Sequence, residues 1–495
     1  MTSAAQGTVR VGDLFDPIAG VLPSGVLSND TIDTSRQSFT NRVEYSWSDN
    51  PLRFNNQGQK WEQDYRLVGF SFQSYPGVHQ CSTPRRISSA IFGITNYLYP
   101  HVAEFEFVFT GQKLSFEFLN KGGNGVSGGV LNPDAIDYGS DCQVYIEYGG
   151  RMWKAADLPK TTTSTSGNRD YRNIAFTNPV ANVRIRFITS GGFICISTEQ
   201  SAIIAPSPPR PVLILDGDSF VEPSQALTAD SATQWFTTGI ADFLFERTGF
   251  VIFRRGQGAT GFFTNGATQI FDDTLGAATD AVKTATGFSR WFSASRTQWM
   301  TDALGAMTAL SKQPFVNYPG EDFGQPLGRR PLLYVLNGTW NDASAGGVTE
   351  AQMYARAKVC YQWVHTTDPF CTLVHVGPEP FDDALFANPG VIGPPRVGDR
   401  SDIHRQGQMR AIAEVGRSHY INAFGPDLPT RWWTGPGPDP LHGSQDVPTS
   451  SQQSHMGSVH DGIHYTRIGG RYYANKIADQ LAEIRVPAAR VNGLV

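Results

Sequence analysis

Between residues 41 and 205 apolar and polar positions alternate with a period of two. The clearest runs are YRLVGFSF (65–72), AEFEFVFT (103–110), KLSFEFLN (113–120), CQVYIEYG (142–149) and NVRIRFIT (182–189). Side chains in a strand point alternately to opposite faces, so this pattern, rich in Val, Ile, Phe and Tyr, marks strands with one buried face. Gly-rich or polar turns separate them, as at 121–129 (KGGNGVSGG) and 161–168. Short alternating strands joined by turns predict an antiparallel all-β sandwich over 41–205. Residues 1–40 are patterned more weakly and read as an N-terminal arm.

The period changes after 204–211 (IAPSPPRP), where prolines fix φ and remove backbone donors, as suits a stiff linker. VLILD (212–216) is a continuous apolar run, the mark of a strand covered on both faces, and FVIFRRG (250–256), LLYVLNG (332–338) and CTLVHVG (371–377) read as further strands. HYINAFG (419–425) adds a fifth strand. Helical patterns over 231–248, 297–312, 350–365, 402–418 and 470–484 are interspersed with them. Strands alternating with helices predict a three-layer α/β domain over 206–495, with a parallel sheet between flanking helices.

Composition narrows the class. The 495 residues are 40% hydrophobic and 17% charged, which excludes a disordered chain or a coiled coil. The net charge of -5, without a basic run, argues against nucleic acid as a partner. No stretch reaches the roughly 18–20 apolar residues of a membrane span. Residues 1–10 carry no apolar core of a signal peptide. Cys81, Cys142, Cys195, Cys360 and Cys371 are odd in number and include no CxxC pair. They read as buried free thiols.

Ligands of open α/β sheets bind beyond the carboxyl ends of the strands, so the residues after each strand matter most. The first strand is followed by Gly217-Asp218-Ser219, the second by Gly256–Gly261 (GQGATG), and the third by Thr339-Trp340-Asn341-Asp342. Asp461-Gly-Ile-His464 precedes the last helix. Neither a Gly-Asp-Ser nor an Asp-x-x-His is informative alone, but four blocks in this order resemble the SGNH, or GDSL-type, hydrolases over 211–488. The resemblance implies Ser219 as nucleophile, Gly261 and Asn341 as oxyanion-hole residues, and Asp461 with His464 as the rest of the triad, with no metal or other cofactor. Phe220 stands where the family usually has leucine. Thr339 stands where it has glycine, with Gly338 one position earlier, so that loop is expected to differ. About 245 residues between Ser219 and His464 imply large insertions.

The chemistry suits those residue types. A serine hydroxyl needs a base to take its proton, here His464, and Asp461 three residues earlier can fix the imidazole tautomer. The N–H groups of Ser219 and Gly261 and the Asn341 amide would receive the developing oxyanion. Blander readings stand beside these. Ser219 can cap a helix, Asn341 can be a turn residue, Gly258 can replace Gly261, and Asp461 can be a turn residue that leaves a dyad. Asp218 reads as a brace for the serine turn.

Three other patterns are weaker. Gly256–Gly261 matches G-x-G-x-x-G, but no ribose-binding acid follows at the right distance. His455, His460 and His464 lack the carboxylate or thiolate company of a metal site. Trp432 and Trp433, in a Gly/Pro-rich insertion over 425–460, are either a packed plug or a sugar-stacking wall, and Trp340 has the same two readings. A β-sandwich before an SGNH domain resembles carbohydrate O-acetylesterases with a jelly-roll-like domain, which implies an acetylated polysaccharide or cell-envelope glycan as substrate. The missing signal peptide suggests a bacteriophage tail or host-attachment protein, docked to virion proteins through the N-terminal region. The alternative from another class is an inactive glycan-binding or structural virion protein.

Overall fold

The computed structural model describes residues 7–46, 103–119, 142–156, 169–189, 192–206, 210–217, 221, 240–256, 261–263, 331–338, 340–367, 371–377, 400–423, 467–488 and 491. The strand expected at 65–72 and the helix at 297–312 lie outside them.

Strand β1 (Thr8–Arg10) and a 3-10 turn (Val11–Leu14) open the chain. An eight-stranded antiparallel sheet follows: β2 (Leu27–Asp33), β3 (Arg42–Ser46), β4 (Ala103–Leu119), β5 (Cys142–Tyr148), β6 (Arg151–Lys154), β7 (Arg169–Thr189), β8 (Gly192–Glu199) and β9 (Ile203–Pro206). The runs at 103–110 and 113–120 join into the single 17-residue strand β4, whose register shifts around Gly111. It pairs along its length with the 21-residue β7, and each of these long strands serves different neighbours at its two ends. The two halves face each other across one apolar core. There Phe116 stacks on Phe187 at 4.1 Å, although these residues are far apart in the β4–β7 register.

The second sheet is parallel and five-stranded, built from β10 (Val212–Gly217), β11 (Val251–Gly256), β12 (Pro331–Asn337), β13 (Thr372–Gly377) and β14 (Ser418–Asn422) in the order β11-β10-β12-β13-β14. Among the described residues its helices are α1 (Ile240–Thr248), α2 (Trp340–Ala345), α3 (Glu350–Thr367), α4 (Arg400–Ala413) and α5 (Arg467–Ala482). The unbroken apolar strands are explained by burial on both faces. Leu213, Leu215, Leu333 and Val335 join the core under α1 and α5, while Ile214, Tyr334 and Leu336 join the one under α3 and α4. This is the expected helix–sheet–helix layering. No described helix is long and apolar enough to cross a membrane. Cys142, Cys195, Cys360 and Cys371 are buried free thiols, and Cys81 lies outside the described residues.

Of the arm expected over 1–40, residues 8–33 are built into the fold. β1 pairs with the last strand, β15 (Arg485–Pro487), and Val11, Leu14, Phe15 and Ile18 pack on the α1–α5 core. β2 lies beside β7. No local pattern signals either strand. The partner of β1 is at the far end of the chain. β2 (LSNDTID) is held by Leu27 and Ile32 against the antiparallel-sheet core and by Asp30, whose two oxygens accept from the buried Arg172 guanidinium at 2.5 and 2.7 Å. Arg172 also donates to the Cys142 and Ala156 carbonyls.

α1 lies between the two sheets. Tyr145 packs edge-on against Phe245 at 4.9 Å, and the Arg186 guanidinium sits 3.3 Å from the same ring centroid. Glu246 accepts from the Tyr145 hydroxyl at 3.1 Å and pairs with Lys154 and Arg471 at 3.3 Å each. At the linker, buried Arg210 pairs with Glu106 at 3.0 Å and donates to the Gly249 carbonyl.

Removing one partner of a buried ion pair leaves the other charged and desolvated, at about 3–5 kcal/mol. Asp30→Ala is therefore expected to destabilise the protein by that amount in urea unfolding. Asp33→Ala, at the exposed end of the same strand, loses only its turn contacts with the Thr34 and Ser35 amides and should cost no more than about 1 kcal/mol. Equal small effects would show that the Arg172–Asp30 pair does not hold β2.

Candidate active site

The strand order puts three of the sequence-predicted blocks on neighbouring strands. In register, Gly217 at the end of β10 lies between Gly256 of β11 and Asn337 of β12. The strands that precede Ser219, Gly261 and Asn341 in sequence therefore end side by side at the sheet's carboxyl edge. Ser219 itself, Asp461, His464, Trp432, Trp433, His455 and His460 lie outside the described residues. Gly217 and Val221, which flank the serine in sequence, are both buried. A β-carbon on Gly217 would lie 2.0 Å from the Asn337 carbonyl oxygen and 2.5 Å from Val221 Cγ2. Close backbone approach thus explains the glycine of the Gly-Asp-Ser block.

Gly261 is buried at the start of a bend, Gly261–Phe263. Its environment is set by Asp342, which is fully buried in the first turn of α2. The two carboxylate oxygens accept from the Phe262 and Phe263 amides at 2.6 and 2.8 Å. A β-carbon at residue 261 would lie 2.4 Å from Asp342 Oδ1. Asn341, next to Asp342, is partly buried. One residue earlier, Trp340 is partly buried and packs against the α1–α5 core. The expected loop at 339–342 is therefore a short helix from Trp340 onward, held by the bend it clamps.

Several contributors were not singled out from the sequence. Asn337, fully buried, donates from Nδ2 to the Val376 carbonyl at 3.3 Å and to the Tyr473 hydroxyl at 3.1 Å. This ties α5 to the carboxyl edge. His375 on β13 is fully buried against Phe262, Tyr361 and Tyr420, and its Nδ1 is hydrogen-bonded to the Tyr361 hydroxyl. Burial pushes its pKa down to about 3, against a smaller upward pull from the Gly338 backbone. It is neutral at any ordinary pH, and it packs under the bend. A polar residue inside an otherwise apolar strand, as in PLLYVLN and CTLVHVG, was the available signal for both. On α4, His404 is pushed down to about 4 by burial and by the Arg400 charge. Among the described residues no three His, Cys, Asp or Glu side chains gather as a metal site.

No family model and no curated protein matches the chain. Its fold is similar to that of a family two carbohydrate esterase from Clostridium thermocellum in complex with cellohexaose, with 11% identity, 84% of this chain and 97% of the other covered, and a TM-score of 0.43. It is also similar to a family two carbohydrate esterase from Cellvibrio japonicus, with 12% identity, 89% and 97% covered, and a TM-score of 0.46. A protein from Bacteroides ovatus described as a GDSL-like lipase shows 10% identity, 88% and 96% covered, and a TM-score of 0.44.

The two depressed histidines have a consequence for stability. Folded His404 stays neutral down to about pH 4, whereas unfolded it takes up a proton near 6.5. Between those values the unfolded state binds more protons, so stability falls as pH falls, by up to about 1.4 kcal/mol per pH unit for each histidine. His404→Gln is expected to flatten the loss of unfolding free energy between pH 6.5 and 4.5. An unchanged slope would place the acid sensitivity elsewhere.

Proposed function

We propose that the chain is a serine esterase that removes O-acetyl or other short acyl groups from a polysaccharide or cell-envelope glycan. The observation that carries this reading is the adjacency of the β11, β10 and β12 carboxyl ends. It gathers the Gly261 bend, the strand leading into Gly217-Asp218-Ser219 and the Asn341 helix at one edge. α5, which begins at Arg467 just after the Asp461–His464 block, is held to that edge through Tyr473 and Asn337, which supports bringing the block there too.

In this mechanism Ser219 Oγ attacks the ester carbonyl carbon while His464 takes the hydroxyl proton. The negative charge moves to the carbonyl oxygen, against the N–H groups of Ser219 and Gly261 and the Asn341 amide. Collapse breaks the bond to the sugar oxygen, which leaves with the proton from His464. Water then attacks the acyl-serine, with His464 again acting as base, and releases the acid. Asp461 holds the imidazole and stabilises its cation. No metal or other cofactor enters.

The glycan side of the reading rests on the folded antiparallel sheet, read as a jelly-roll-like sandwich, and on Trp340, Trp432 and Trp433 as stacking surfaces. The virion reading draws no support from residues 8–18, which are occupied against this chain's own core.

Ser219→Ala is expected to lower hydrolysis of an acetylated glycan and of p-nitrophenyl acetate by several orders of magnitude with an unchanged melting temperature. Turnover close to wild type would refute the serine mechanism. Asp461→Asn should lower kcat by up to about 10⁴-fold. A loss below about tenfold indicates a Ser-His dyad. Replacing both Trp432 and Trp433 by Ala should raise KM for the polymer and leave the small ester unaffected, because remote contacts act only on substrates that make them. Equal loss on both esters with a lowered melting temperature would identify a structural plug.

A further inference from the structure

Asp342 does more at this edge than a first-turn carboxylate has to do. Burying a carboxylate completely is expensive unless hydrogen bonds to the charged form repay it. Here one oxygen takes the Phe262 amide at 2.6 Å and the other the Phe263 amide at 2.8 Å, so both lone-pair faces are directed at one bend. The Arg356 guanidinium lies 4.9 Å from the Phe263 ring centroid and interacts electrostatically with Asp342. The helix that carries Asp342 is itself anchored at its other end. Gly346 donates its amide to the Asp342 carbonyl at 3.2 Å, and Arg400 donates to the Ala343 carbonyl at 3.1 Å. One side chain therefore bridges a helix that begins Trp340-Asn341 to the bend that begins at Gly261.

We propose that Asp342 is a positioning residue for the esterase reading on which this inference rests. Its carboxylate locks the Gly261–Phe263 bend onto α2 and so sets the spacing between the Gly261 N–H and the Asn341 amide. The geometry requires this particular side chain. Asparagine keeps one acceptor but turns an NH₂ donor toward the other amide. Alanine strands the buried Phe262 N–H and the partly buried Phe263 N–H. Glutamate adds a methylene where the fit is already tight, since a β-carbon at Gly261 would lie within 2.4–2.6 Å of all three carboxyl atoms. Asp342 does not touch the reacting atoms. Its effect appears only as the transition state builds charge on the oxyanion.

The test compares wild type, Asp342→Asn and Asp342→Glu on p-nitrophenyl acetate, with phenylboronic acid as a probe that forms a tetrahedral adduct with a reactive serine. The expected result for each variant is a fall in kcat of about 10²-fold or more, with KM within threefold. The boronate should bind more weakly by a similar factor. Asp342→Glu keeps the charge, so it carries the same test if Asp342→Asn does not yield folded protein. A kcat within twofold of wild type in either folded variant overturns the proposal. So does a loss in which KM rises in step with the fall in kcat/KM and boronate affinity is unchanged, which would mark a purely structural role. Failure of the esterase reading shows separately, as wild-type turnover no greater than that of Ser219→Ala.

Discussion

At the carboxyl edge of the parallel sheet, backbone comes so close to backbone and side chain that two positions admit no β-carbon. Gly217 abuts the Asn337 carbonyl, and Gly261 abuts the Asp342 carboxylate. In a close-packed interior a contact of this kind acts as a constraint, because neither neighbour can yield without disturbing the strand or helix that carries it. The approach at Gly217 keeps β10 and β12 in register to their last residues. The approach at Gly261 lets a charged group replace a side chain and hold the bend. Among the described residues, these two contacts join the end of β10 to β12 and the Gly261 bend to α2, segments from distant parts of the sequence that nothing local would align.

The edge is held from behind by α1 and α5. α1 is buried except near Glu246 and Arg247, because the parallel sheet covers one side and the antiparallel sheet the other. The residues between the sheets combine an aromatic contact, Tyr145 on Phe245, with the ion pairs of Glu246 and Arg210. Charged groups tolerate such burial only when paired, and here each finds its partner across the interface. α5 completes the arrangement. It packs on α1, reaches Asn337 through Tyr473, and leads into β15, whose pairing with β1 closes the two ends of the chain on each other.

Much of this was legible beforehand because its cause is local. VLILD (212–216) read as a strand buried on both faces, and Leu213, Ile214 and Leu215 are buried alternately in the two cores. Alternation at 103–110 and 142–149 reported one buried face. It did not report that 103–110 and 113–120 are one strand, since continuity across Gly111 is decided by the partner β7. β2 was illegible because only Leu27 and Ile32 give it an apolar face, and the rest of its hold comes from Asp30, a polar residue whose partial burial makes sense only beside Arg172. The short helix at Trp340 was missed for a similar reason. Six residues carry too weak a propensity signal, and its Asp342 is satisfied by a bend some eighty positions earlier.

The sequence by itself carried four blocks whose order resembles that of the SGNH hydrolases, the first three of them after successive strands. Hydrophobic periodicity and turn chemistry act over a few residues, and motifs are strings. Tertiary structure alone decided that β10 lies between β11 and β12, that Asp342 belongs to the Gly261 bend, and that the first strand pairs with the last. Each of those is a contact between segments distant in sequence. Such contacts are selected by close packing and by the satisfaction of buried polar groups in three dimensions, and neither leaves a pattern along the chain.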